Sequence, residues 1–251
     1  MRFIDFIILL ILGGLVGMSF IWYDIEKNAT KNDVVQEPRK DKFLVNVIPE
    51  NMDVSMKKER FYYLVVPAVQ KVHKEWVQRF ERVVEDINSS KNTQEIEALK
   101  KKYKAQSLEE LLASLKPHPP SITIAQAAME SAWATSRFFV EANNIFGVWS
   151  VGKSKPRIAA SEQRDGNRTI WLRKFKSVDE AVREYYDMMA RARAYKDFRY
   201  TRLYTNDSFE IVPHLDKYSE IGDAYTQELE DLIRYNKLTK FDKVLPLSNY
   251  P

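Results

Sequence analysis

"TIAQAAMESAWATSRFF", Thr123–Phe139, is apolar from Ile124 to Trp133 except at Gln126, Glu130 and Ser131. A stretch suited to burial that carries a carboxyl near its end sets a physical problem. Buried carboxylates are expensive unless something pairs them or keeps them protonated. Burial raises the pKa, and the carbonyl end of a helix repels an anion, so both effects favour the protonated form. A carboxyl that holds a proton near neutral pH is a candidate general acid. The competing reading is a glutamate that reaches solvent or an arginine such as Arg137. The expected helix has Ser121 as N-cap and Ile124, Ala127, Ala128 and, one turn on, Ser131 or Ala132 facing inward. The alanines allow close helix packing.

The pattern stays helical upstream. Between Ser55 and Ile87 apolar residues from Phe61 to Ile87 recur mostly at spacings of three and four, with Pro67 a possible kink or break. "INSSKNT" interrupts it, with Thr93 as an N-cap, and Glu95–Tyr103 forms another helix. Ser107 with Glu110 makes a capping box for "SLEELLASL". Downstream the period changes. Ile158–Phe175, with "DGN" at Asp165–Asn167, predicts a small β-hairpin. Ser177 caps a helix from Val178 to about Ala194, "YKDFRYTRL" continues as helix, and a last helix runs from Ala224 to about Asn236.

Phe6–Tyr23 is an uncharged apolar run long enough to span a bilayer, ending in bulky residues rather than the small ones of a cleavage site. It reads as an uncleaved anchor. Residues 24–42 are polar and read as a spacer. The chain of 251 residues has 45% hydrophobic residues, seven glycines and no cysteine, so it has no disulfide, no thiolate metal site and no nucleotide-binding glycine loop. Its three histidines, His73, His118 and His214, lack metal-ligand spacing and read as surface or half-buried side chains. No cofactor and no metal are expected. Net charge is +4; the first 24 residues sum to −1, leaving +5 on the remainder. A mild basic excess suits an anionic polymer or membrane surface, whereas the absence of a basic stripe interleaved with aromatics argues against nucleic acid.

Glu130-Ser131-Ala132-Trp133-Ala134 followed by Asn143-Asn144-Ile145-Phe146-Gly147 resembles the paired motifs of glycoside hydrolase family 73, the bacterial endo-β-N-acetylglucosaminidases that cut peptidoglycan. "PPSITIAQAA" before the glutamate and "FGVW" after the second motif are similar to the Bax-like branch of bacterial proteins. The resemblance covers roughly residues 61–238. It implies a mainly α, lysozyme-like fold: a helical bundle around a catalytic cleft with a small β-hairpin lobe. Residues 1–55 lie outside it, and the expected organisation of the whole chain is a transmembrane anchor at 1–24, a spacer at 25–55, a helical support region at 56–117, a glucosaminidase domain at 118–240 and a tail at 241–251. Glu130 matches the family's catalytic acid. Glu162 or Asp165 matches its second acid, with Glu162 preferred because Asp165 sits in a turn signal. Tyr218 matches the family's tyrosine loosely, and Tyr225, seven residues on, is expected to bind substrate. Asn143 and Asn144 are expected to fix a loop of the cleft. Phe146 is expected to pack beneath the site and Gly147 to allow a turn, while Trp149 and Trp171 could stack on sugar rings. Trp133 reads as core.

The expected activity is hydrolysis of peptidoglycan glycan strands after N-acetylglucosamine. A muramidase or lytic transglycosylase of similar fold, or an inactive glycan-binding module, are the alternatives. The expected location is the inner membrane, with the catalytic part in the periplasm. Both motif glycines are alanines here, Ala132 and Ala134. Alanine is costly at a left-handed position, so the sequence predicts that the helix continues or that the local geometry has shifted.

Overall fold

The structure, a computed structural model, describes residues 42–150, 152, 154–164 and 168–244, with the backbone alone for 161–164, 168, 243 and 244. The expected anchor at 6–23 lies outside these residues. Among the described residues no helix is long and apolar enough to cross a membrane.

Helix α1, Val54–Asn88, runs unbroken for 35 residues, and Asp53 caps it by accepting a hydrogen bond from the Met56 amide. Pro67 neither ends nor divides it, because that position lies on the exposed side, away from the buried Val65, Val66, Ala68 and Val69. Helices α2, Thr93–Tyr103, and α3, Leu108–Leu115, follow. Asn92 rather than Thr93 is the N-cap of α2, whereas Ser107 caps α3 as expected, accepting from Glu110 N at 3.1 Å.

Helix α4, Pro120–Glu130, carries the quoted stretch. Every residue from Pro120 to Ala128 is buried. Contacts with α1 and with the later helix α9, Asp223–Tyr235, enclose it, as does the final 3-10 helix, Leu238–Val244. Ser121 is not its N-cap. Pro119 holds that position and Pro120 opens the helix, where its missing N–H costs nothing. The free first-turn amide of Ser121 is satisfied from 121 residues away: Asp242 Oδ1 accepts from Ser121 N at 2.7 Å, and Asp242 Oδ2 accepts from Ser121 Oγ at 2.8 Å.

After the short helix α5, Arg137–Ala142, strands β1, Arg157–Arg164, and β2, Arg168–Arg173, form an antiparallel pair. Residues 148–150 join β2 on its other edge through the Trp149–Leu172 bridge. Ala159 pairs with Trp171 and Gln163 with Thr169, so β1 bulges by two residues between these pairs. The turn predicted at Asp165–Asn167 lies outside the described residues. The chain closes with α6, Val178–Arg191, a 3-10 turn at Arg193–Tyr195, α7, Lys196–Tyr204, α8, Ser208–Ile211, a 3-10 helix at Val212–Tyr218, and α9. The predicted single helix from 178 stops at Arg191 and restarts as α7. One apolar core runs from Phe61 to Leu238 and includes residues of α1, α2 and α3. His73 and His118 are buried in it, contrary to their reading as surface or half-buried groups.

Candidate active site

Helix α4 leaves the core within its last two residues: Ala128 is fully buried, Met129 half-buried and Glu130 exposed. The helix ends there because the chain turns left-handed. Ala132, Trp133 and Ala134 have φ of 50°, 62° and 61°. The helix therefore does not continue, and Ala132 is exposed rather than inward-facing. Ser131 secures the turn, its hydroxyl donating to Ala127 O at 2.5 Å and accepting from Ala134 N at 2.8 Å. Arg60, fully buried on α1, reaches across to donate to Ala134 O at 2.6 Å, and its other nitrogen donates to Leu44 O and Val45 O. Trp133 lies edge-on to Phe61 at 5.2 Å, packed against the core as expected.

The Glu130 carboxyl is reached by solvent, yet enough protein surrounds it for burial to push its pKa up from the ordinary carboxylate value. The Tyr225 hydroxyl opposes this by donating to Oε1 at 3.2 Å. Among the described residues no cation pairs with Glu130. Arg137, the suspected partner, turns instead to Glu141 at 3.2 Å and to Ala159 O at 2.6 Å. The titratable groups that feel the Glu130 charge are Tyr225, Tyr218 and Tyr195.

Tyr225 is 3% exposed, which corrects its assignment to the substrate surface. It is Tyr225, not Tyr218, whose hydroxyl meets the acid. The Tyr218 ring stacks on the Tyr225 ring at 5.4 Å and 16°, and tilts against Tyr195 at 6.0 Å. Gln126, one turn before Glu130 and fully buried, donates through Nε2 to the Tyr225 hydroxyl at 2.9 Å. Sequence reading passed over Gln126; the signal was a lone amide in a run of buried positions, which has to be satisfied by something.

Asn144 is 1% exposed, so it serves the backbone rather than substrate. Its amide donates to Val148 O and Arg173 O, each at 2.9 Å, and its oxygen accepts from Val148 N at 2.8 Å, fastening the 144–148 loop to β2. Asn143 ends α5 in the left-handed conformation and donates to Phe175 O at 2.9 Å. Phe146 is buried and stacks on Tyr185 at 4.2 Å, as a residue beneath the site. Gly147 turns at φ 64°, which an L side chain rarely adopts. Trp149 is 57% exposed, whereas Trp171 is half-buried with the Arg157 guanidinium 4.1 Å from its ring. Glu162 falls in the bulge of β1, and Asp165 lies outside the described residues. Among the described residues no His, Asp and Glu cluster could hold a metal ion.

The family model described as mannosyl-glycoprotein endo-beta-N-acetylglucosaminidase matches residues 105–238, more than half of the chain. The chain belongs to the glucosaminidase family. This glucosaminidase is accordingly a glycoside hydrolase, and the match takes in α3, α4, the hairpin and α9 but not α1 or α2. Among solved structures it is similar to the catalytic domain of the autolysin Auto from Listeria monocytogenes, at 21% identity and TM-score 0.42 over 66% of this chain and 88% of that one. It is also similar to the FlgJ glycoside hydrolase domain of Salmonella typhimurium, at 22% identity and TM-score 0.40 over 56% and 89% of the chains. A peptidoglycan hydrolase from Sphingomonas sp. A1 gives 20% identity and TM-score 0.40 over 53% and 85%. No curated protein matches the chain.

Proposed function

We propose that this glucosaminidase hydrolyses the β-1,4 bonds of peptidoglycan glycan strands after N-acetylglucosamine, with Glu130 as general acid. The observation that carries the reading is the place of Glu130: a solvent-reached carboxyl at the end of a buried helix, its pKa pushed up by burial, held by a tyrosine hydroxyl and, among the described residues, by no cation. A carboxyl of this kind is protonated in a larger fraction of molecules at neutral pH than a free one, and so can donate.

In the proposed step the C1–oxygen bond of the sugar breaks as Glu130 delivers its proton to the departing oxygen. Water then adds to C1, and its proton returns to Glu130. The cation-like centre at C1 needs a second group. Glu162 is the favoured residue, since Asp165 sits in a turn signal where a structural role is cheaper. The acetamido oxygen of the substrate is the other source of such help. Trp149 supplies an aromatic face for a sugar ring. The apolar run at Phe6–Tyr23 would hold the enzyme in the inner membrane with the catalytic part in the periplasm, and the "PPSITIAQAA" and "FGVW" segments favour the Bax-like branch.

The test is digestion of purified cell walls by the full-length protein, with mass spectrometry of the products. Reducing N-acetylglucosamine ends are expected, and Glu130→Gln should lower the rate by about a hundredfold or more. Anhydro-muramic ends would reject the bond assignment. Equal rates with and without the substitution would reject Glu130 as the acid.

A further inference from the structure

A chain of buried polar groups runs from Glu130 into the core, and its donors and acceptors fall in one order only. Arg202 is fully enclosed on α7 and is a donor at every nitrogen. Its Nη1 lies 3.1 Å from His118 Nδ1, so Nδ1 must accept and the His118 proton sits on Nε2. His118 Nε2 faces Thr123 Oγ1 at 2.8 Å and the Tyr185 hydroxyl at 3.3 Å. With a donor on that side, the one acceptor left to the buried Tyr185 hydroxyl among the described residues is Gln126 Oε1, at 2.5 Å. The Gln126 amide is thereby fixed with its nitrogen toward Tyr225, at 2.9 Å. A tyrosine hydroxyl that accepts from Gln126 has its proton free for Glu130 Oε1, at 3.2 Å. Among the described residues Oε2 of Glu130 has no partner.

We propose that Gln126 is a positioning residue for the hydrolysis: it forces Tyr225 to donate to Oε1 of Glu130, which leaves Oε2 as the oxygen that carries and delivers the proton. Arg202, His118 and Tyr185 set the polarity of Gln126 in turn. Every member except Glu130 is buried, so water cannot reverse the order. Burial and the neighbouring Arg202 charge both hold His118 neutral, as the scheme requires. The proposal rests on Glu130 being the acid.

The experiment is a double-mutant cycle in the full-length protein, reading kcat, KM and pH profile on purified peptidoglycan. Gln126→Met removes both hydrogen bonds while keeping the volume. It should lower kcat on the order of ten- to a hundredfold with little change in KM, as misplacement of a reacting group does. The hydroxyl of Tyr225 lowers the Glu130 pKa. Losing that donor therefore moves the alkaline limb of the profile to higher pH in Tyr225→Phe; Gln126→Met leaves the hydroxyl but no longer holds it on Oε1, so the limb moves the same way and less far. The groups facing Glu130 on the packed elements are Tyr225, Tyr218 and Tyr195, and none of these ionises in that range. In the Tyr225→Phe background, Gln126→Met should have no further effect.

Wild-type kcat and an unmoved limb in Gln126→Met would overturn the proposal. So would an undiminished effect in the Tyr225→Phe background, which would make Gln126 a packing residue. Should Gln126→Met not fold, Tyr185→Phe removes the donor that fixes the Gln126 amide and is read against the same expectations. Nitrogen-15 NMR of the wild-type protein should show His118 neutral with its proton on Nε2; a proton on Nδ1 would also overturn it. If Glu130→Gln stays active the acid assignment falls, whereas an inactive Glu130→Gln beside an unaffected Gln126→Met removes the relay alone.

Discussion

Ala132, Trp133 and Ala134 occupy the left-handed region one after another. Each non-glycine residue there costs about 1–2 kcal/mol. The turn is held by contacts that specify it several times over: the Ser131 hydroxyl, the amides of Thr135 and Ser136 donating to Ser131 O, and Arg60 on Ala134 O. Replacing Ala132 by glycine should relieve that strain, less about 0.4–1 kcal/mol for the freer unfolded chain. At an exposed site the net is a gain of about 1 kcal/mol. Ala134 is fully buried, and losing its methyl costs about 0.8 kcal/mol more, so Ala134→Gly should be near neutral. Urea unfolding of the two variants checks the difference. At this scale Glu130 stood out in the sequence as a carboxyl in an apolar run. Its partner did not, since Tyr225 lies 95 residues away and nothing local to Glu130 specifies which tyrosine arrives.

Helix α1 lies outside the family match, yet it supports the end of α4. Arg60 brings one guanidinium to three backbone carbonyls, those of Ala134, Leu44 and Val45, and thereby ties the N-terminal segment, α1 and the turn after Glu130 together. A planar fork with fixed donors can do this, whereas a lysine has one nitrogen to place. Arg60→Met should destabilise the protein by about 3 kcal/mol, the loss of charged hydrogen bonds with their buried acceptors left bare. It should also lower kcat, because the turn that fixes Glu130 loosens. Thermal unfolding and the wall-digestion rate measure the two effects, and an unchanged kcat would separate α1 from the site. Most helices were legible from apolar spacing and capping residues: Ser107 and Ser177 both accept from the amide three residues on. The start of α4 was misread because its cap is a distant carboxylate, Asp242. Pro67 was ambiguous for a related reason: whether a proline interrupts a helix depends on which side faces the core.

Over the whole molecule the buried titratable groups make stability depend on pH. Burial lowers the His73 pKa to about 4 from an ordinary 6.5, and His118 is held well below its ordinary value. A histidine of depressed folded pKa binds a proton in the unfolded chain first. Its stabilising share is full above about pH 6.5 and falls as pH drops toward 4. For His73 the loss is on the order of 3 kcal/mol across that window. The unfolding midpoint should fall between pH 6.5 and 4, and His73→Gln should make the fall shallower; an equally steep fall would assign the effect elsewhere. The sequence by itself determined most helices, the hairpin, the carboxyl that ends α4 and the motifs of the family, because each depends on side chains within a turn or two of one another. Tertiary structure alone decided that α4 is buried on all sides up to Ala128, that Tyr225 rather than Tyr218 meets Glu130, and that Asn144 serves the backbone. The physical reason is one of range: a helix or a cap is settled by neighbours in the chain, whereas the partner of a buried polar atom is whichever group the packing brings within 3 Å of it.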